Sequence, residues 1–151
     1  MNCRMEYTDS YSQMELVHDN LYLFNLKRTG REFDPAVKAK KIDRSEALIL
    51  RGDADEFLGG IVWHWLEEPG KIFVDYMFVS DLLRGQGWGR RVFEEFEKRV
   101  KAAGAEEIGV TTNTFQAPEF YLKSGYELIG QKASPHPLVP ENIHYSYCKK
   151  I

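Results

Sequence analysis

Cysteine is nearly absent: Cys3 and Cys148 are the only two in 151 residues, and they form no CxxC pair. That leaves neither a disulfide framework nor a thiolate zinc site, and a reducing compartment is the simpler assumption. The histidines His18, His64, His136 and His144 fall in no HExxH or comparable spacing, so metal chemistry is not expected. Long apolar runs are missing too. Nothing approaches the roughly 18 residues of a membrane span, and the opening MNCRMEYTDS has no apolar stretch of the signal-peptide kind. A soluble, cytoplasmic protein with no membrane partner is the expectation. Positive charge is not in excess either, since 20 Lys and Arg stand against 23 Asp and Glu for a net charge of -3. A nucleic-acid partner is therefore not expected, even through Lys38, Lys40, Lys41 and Arg44, and a weakly cationic partner suits the balance slightly better. Linkers rich in Pro or Gly/Ser and internal repeats are likewise lacking, so residues 1–151 read as one domain.

What is present is a well-stocked core, with 43% hydrophobic and 13% aromatic residues. After a short strand at Cys3 to Tyr7, Met14, Val17, Leu21 and Phe24 recur at helical spacing up to a stop at Gly30. Asp34-Pro35 resembles an N-cap and first-turn proline, which predicts a short basic helix through Lys38, Lys40 and Lys41. Ala47 to Leu50 and Phe57 to Trp63 read as a hairpin about the turn Arg51 to Asp55. A second turn, Glu67 to Gly70, leads into the aromatic and β-branched strand Ile72 to Val79, so an antiparallel meander is expected. Val92, Phe93, Phe96, Val100 and Ala103 then form one helical stripe ending at Gly104. A strand at Glu107 to Thr112, a short helix at Pro118 to Lys123, and strands at Tyr126 to Gly130 and Ile143 to Lys149 complete the order. The sum is an α/β protein of the mixed-sheet, α+β kind.

The segment between the strongest strand and the strongest helix, Arg84-Gly85-Gln86-Gly87-Trp88-Gly89-Arg90, carries the chemistry. Glycines let backbone amides approach a ligand unobstructed, and a helix's first turn presents partial positive charge, so the place suits a phosphate. Arg84 and Arg90 add charge at its edges. A dinucleotide fingerprint is disfavoured because Arg90 stands where its last glycine belongs, and the Walker lysine and hydroxyl are absent.

Arg84, Gly87 and Gly89 match [R/Q]-x-x-G-x-[G/A], and Ala117-Pro118-Glu119-Phe120-Tyr121-Leu122-Lys123-Ser124-Gly125-Tyr126 matches A-x-x-F-Y-x-K-x-G-[F/Y]. In these two segments the chain resembles the GNAT superfamily of acyl-CoA-dependent N-acyltransferases, strongly over Ile72 to Gly130 and loosely before it. Thr114-Phe115-Gln116-Ala117 further resembles a bacterial subset of small acetyltransferases with F-Q-A here, although many members carry Asn where Thr114 stands. The resemblance implies a mostly antiparallel sheet whose central strands splay, with acetyl-CoA in the cleft. Its pyrophosphate would lie on Arg84, Gly85, Gln86, Gly87, Trp88, Gly89 and Arg90. The pantetheine arm would run beside Met77, Phe78 and Val79, whose amides would polarise the thioester carbonyl. Thr114, Phe120 and Tyr121 would complete the cofactor side.

Acyl transfer needs a neutral amine, yet a lysine-like amine of pKa ~10.4 is unprotonated only about once in 2,500 molecules at pH 7. Asp75, an acid in an apolar strand, reads as a base or substrate anchor, or as a strand residue facing solvent. Tyr121 matches the tyrosine that in the family often protonates the leaving thiolate, against the alternative of a core aromatic. Trp63, His64, Trp65 and Tyr76 are candidates for the acceptor side, which the loop Ser134 to Asn142 is placed to cover, while core packing is the plainer reading of at least two of them. Glu32, Asp34, Glu67 and Glu68 read as surface acids that could draw in a cation. The expected reaction is N-acetylation of a small-molecule amine. A protein lysine or N-terminus is the alternative acceptor, and a silent acyl-CoA-binding module the alternative function. A homodimer would fit family habit.

Overall fold

Strands Lys71–Val79 (β4) and Glu107–Asn113 (β5) run side by side in the same direction only from Lys71 paired with Glu107 to Val74 paired with Val110. Beyond that point both continue without pairing to each other. The structure, a computed structural model, describes residues 2–116 and 118–151. Ala117, the first residue of the second family-like segment, lies outside the described residues.

Around this fork the chain builds one seven-stranded sheet. With β1 at Cys3–Thr8, β2 at Ser45–Gly52, β3 at Phe57–Trp65, β6 at Glu127–Ala133 and β7 at Ile143–Lys150, the order is β1-β2-β3-β4-β5-β7-β6. Every neighbouring pair is antiparallel except β4 and β5. A parallel pair requires a crossover, and the helix Trp88–Ala102 (α2) supplies it. The helix Tyr11–Thr29 (α1) packs on the opposite face, and a short helix, Glu119–Lys123 (α3), follows β5.

Alternation along the strands divides the core between the two faces. Ala47 and Ile49 join Met14, Val17 and Val62 under α1, while Leu48 and Leu50 join Trp63, Phe93, Phe96 and Val100 under α2. In β4 the alternation breaks. Val62 pairs with Tyr76 but Trp63 pairs with Val74, which leaves Asp75 as the extra residue of a bulge. Ile72 and Val74 before it, and Met77 and Val79 after it, all serve the α2 side, whereas Tyr76 and Phe78 turn to α1. One inserted residue thus changes which side chains reach the α2 face, at the point where β5 departs.

Gly59 holds β3 close to this region. Its φ is 147°, and a Cβ there would meet the Phe78 carbonyl oxygen and, at 2.9 Å, the Val79 Cα. Gly59→Ala is expected to cost about 3 kcal/mol in urea unfolding, from the strained backbone and the displaced β4 together. Unfolding at the parent's midpoint would show that the close approach is not required.

The expected elements appear with small extensions, save one. No helix forms after Asp34: residues 31–42 are irregular apart from one turn. Asp34 Oδ1 accepts from Ala36 N at 2.9 Å and its carbonyl accepts from Val37 N at 3.1 Å, which closes a turn. Of residues 31–41 Ala39 alone is buried, so no apolar face is buried that would extend that turn into a helix. Instead the segment is tied to α1, where Tyr11 Oη donates to the Ala39 carbonyl at 2.6 Å and Tyr22 Oη accepts from Asp34 N at 3.0 Å. Cys3 and Cys148 are both free. Four strands separate β1 from β7, and the Cys148 thiol donates to Glu107 Oε1 at 2.7 Å. Among the described residues no helix is long and apolar enough to cross a membrane, and no cluster of three metal-ligating side chains forms.

Candidate active site

The fork between β4 and β5 opens into a cavity of about 490 Å³. One wall is β4 from Val74 to Val79, and another is β5 at Val110, Thr111 and Thr112. Since a strand edge without a partner leaves its N–H and C=O groups available, the β5-facing backbone of β4 beyond Val74 borders the cavity as a row of free hydrogen-bonding groups.

At one end stands the head of α2. Gly87 is its N-cap, with φ 73°, and Gly85 has φ 77°, a left-handed conformation that L side chains rarely adopt. A Cβ on either glycine would meet nothing within 4 Å, so the loop is open to solvent on that side. Gln86 N donates to the Leu83 carbonyl and Arg91 N to the Gly87 carbonyl. No acceptor among the described residues takes the amides of Gly85, Gly87, Trp88, Gly89 and Arg90. Five free donors at a helix's positive end make a cradle for an anion. The flanking arginines are surface groups: Arg84 (side chain 72% exposed) pairs with Asp81 at 2.8 Å, and Arg90 (78%) with Glu94 at 3.0 Å. Trp88 differs from its neighbours. Its side chain is buried, with Arg91 stacked 3.8 Å over the ring, so only its backbone N–H faces the cradle.

Midway lie Asp75 and Tyr121. The bulge aims Asp75 into the cavity wall, where Oδ2 accepts from His64 Nδ1 at 2.8 Å. Burial raises the Asp75 pKa above the ordinary carboxylate value, and the His64 hydrogen bond opposes this only in part. Tyr121, on α3, is held edge-on by Phe93 with centroids 5.6 Å apart and stacked on Tyr147 at 5.8 Å. Its hydroxyl has no partner among the described residues, and no sealed side-chain oxygen lacks one, so Oη opens to the cavity. Burial pushes its pKa up to about 12. Its ring is thus packed in the core while its hydroxyl borders the cavity.

Met77, Phe78, Val79, Gly89 and Phe120 also line the cavity. Thr114 does not. Its hydroxyl accepts from Ile143 N at 3.0 Å and its amide donates to buried Asn142 Oδ1 at 3.0 Å, which fastens β5 to the start of β7. Of the four aromatics considered for the acceptor side, two point elsewhere. Trp63 packs on Phe96 under α2, 4.9 Å between centroids, and both Trp63 and Trp65 donate their indole N–H to Glu46 Oε1, at 3.1 and 2.7 Å. Tyr76 lines the cavity, and His64 reaches it through Asp75. Glu32, Asp34, Glu67 and Glu68 are exposed and outside its walls.

The α1 wall is not legible in the sequence. Leu21, Phe24 and Arg28 look into the cavity rather than the core, although the helical stripe containing the first two was legible. Gln116, the middle of the F-Q-A run, is a brace: its Oε1 accepts from Asn113 Nδ2 at 2.8 Å and its Nε2 donates to Asn25 Oδ1 on α1 at 3.0 Å. The 134–142 loop docks on the end of α1, Leu138 N donating to the Thr29 carbonyl at 2.9 Å, and His136 meets the cavity residue Phe115 edge-on at 6.0 Å.

A forked mixed sheet, a glycine-lined anion cradle and a buried phenol thus lie along one cleft. Residues 11–126 match the acetyltransferase (GNAT) family. Blasticidin-S acetyltransferase of Streptomyces morookaense is 37% identical over 125 residues, spanning 72% of this chain and 85% of the relative. A protein structure from Lactobacillus plantarum superposes with a TM-score of 0.74 at 16% identity, covering 98% and 97% of the two chains. A Bacillus subtilis acetyltransferase in complex with CoA superposes at 0.66 and 14% identity, covering 99% of each. The chain belongs to the acetyltransferase (GNAT) family and is an acetyltransferase.

Proposed function

We propose that the protein moves an acetyl group from acetyl-CoA to the primary amine of a small molecule, by direct attack of the amine on the thioester. The observation that carries this reading is the fork: free backbone groups on β4 connect the amide cradle of α2 to the cavity containing Asp75 and Tyr121. The residues fit the group they would hold. Open space over Gly85 and Gly87 admits a diphosphate to the free amides, and the unpaired edge of β4 suits the amide-bearing pantetheine arm.

Asp75 would attract the ammonium form of the acceptor and take its proton, a task helped by the raised affinity for protons that burial confers. His64 would hold the carboxylate so that its other oxygen faces the amine. As the new C–N bond forms and the C–S bond breaks, Tyr121 Oη would donate its proton to the departing sulfur, recovering one from solvent. A phenol with a pKa of about 12 is fully protonated at neutral pH, as that step requires. A small-molecule acceptor is supported by the size of the space, about 490 Å³ between the α1 wall of Leu21, Phe24 and Arg28 and the strands β4 and β5.

Release of free thiol from acetyl-CoA with a panel of primary amines tests the reading; heat of coenzyme A binding without turnover of any amine would overturn it. Tyr121→Phe is expected to lower kcat about 10- to 100-fold with KM little changed. The loss is modest because a thiol of ordinary pKa near ~8.5 is already a fair leaving group. Turnover at the parent rate would eliminate the acid role.

A further inference from the structure

We infer that the acceptor carries a carboxylate as well as its amine, and that Arg28 holds that carboxylate; the inference rests on the acetyl-transfer reading above. Among the described residues, the cavity walls contain two charged side chains, Asp75 and Arg28. Arg28 is half-buried, and no described carboxylate lies within salt-bridge distance of it. Its guanidinium carbon sits 3.5 Å from the centroid of the Phe24 ring, so one face is occupied while the N–H edges remain free. Phe24 in turn meets Phe78 of β4 edge-on at 6.3 Å, and the Gln116–Asn25 hydrogen bond fixes the rotation of α1 about this point. The guanidinium is therefore pre-positioned on an apolar platform.

A cation held among aromatic walls without an acid partner loses hydration that a ligand anion can replace. Asp75 supplies the complementary charge for an ammonium group, so the cavity is built for a molecule with both signs. A carboxylate fits better than a phosphate, since a single guanidinium matches one monoanion bidentately and no second cation lines the walls. The diphosphate of the acyl donor has its own cradle at the head of α2.

The test uses amino acids of increasing amine-to-carboxylate spacing, each beside its carboxamide and its phosphonate analogue. Each is turned over with acetyl-CoA and titrated into the CoA-saturated protein. The expected result is that at least one acid exceeds its carboxamide by about 10- to 100-fold in kcat/KM and in affinity. Arg28→Leu, which keeps a side chain over Phe24, is expected to shrink that ratio to near unity, and Arg28→Lys to leave an intermediate one. Should Arg28→Leu not fold, Arg28→Lys carries the comparison through its loss of the bidentate fork. Acid and carboxamide used or bound alike, a panel with no binder, a preference for the phosphonate, or a ratio that survives in a folded Arg28 variant would each overturn the inference. Coenzyme A heat in the unaltered protein is read separately, and its absence would sink the acetyl-transfer reading instead.

Discussion

Gly87→Glu is expected to weaken coenzyme A binding by about 100-fold or more, measured by calorimetry, while the protein stays folded. The effect has two separable parts. Any Cβ at φ 73° costs about 1–2 kcal/mol of backbone strain, although it meets no atom within 4 Å. Gly87→Ala measures that part alone, as a fall of a few degrees in Tm with affinity within about tenfold of the parent. The glutamate adds a negative charge at the α2 head, which is favourable to the helix itself but competes with a diphosphate for the free amides of Gly85 and Trp88 to Arg90. The extra loss from Ala to Glu therefore isolates electrostatic exclusion. If both variants bind alike, the amides at the helix head do not hold the phosphates.

Asp75→Asn is expected to lower kcat/KM by about 100- to 1,000-fold, with a rise in thermal stability at neutral pH. Asn keeps the acceptor oxygen for His64 Nδ1 but takes up no proton from an amine. The sign of the stability change follows from burial, which raises the Asp75 pKa above its ordinary value of 3.8. A carboxyl group with a raised folded-state pKa contributes stability that is fully present below the unfolded value and is lost as pH rises through the folded one. At pH 7 the ionised side chain is thus a net cost that Asn removes, and the stability gain should vanish as pH falls toward 3.8. The same titration predicts that the parent's kcat/KM rises with pH through the raised Asp75 pKa, and that this limb is missing from the variant. A variant that keeps parental kcat/KM would remove Asp75 from the chemistry. One that loses both activity and stability would show that the His64 pair supports the fold rather than the reaction.

Gly87 was legible because its work is local: three glycines between an aromatic strand and an amphipathic helix specify a turn and a helix head within one short window. Asp75 was visible as an acid in an apolar strand, but its direction was not, since a single bulged residue changes which side chains face the cleft and pairing with β3 is a contact across the sheet. The same limit explains Trp63 and Trp65, which are aromatic like Tyr76 but lie on the α2 side, bonded to Glu46. It explains the absent helix after Asp34 as well, where a sound capping signal had no apolar face behind it.

By itself the sequence determined the order of the strands and of the helices that do form, the helix head at Gly87, the aromatic position at Tyr121 and the resemblance to an acyl-CoA-dependent family, because each is written in residues close together along the chain. Only the tertiary structure decided that β4 and β5 part at Val74, that Asp75 meets His64, and that Leu21, Phe24 and Arg28 line a cavity instead of a core. Those facts depend on strand register and on how α1 sits against the sheet, and both are set by packing between residues far apart in the chain.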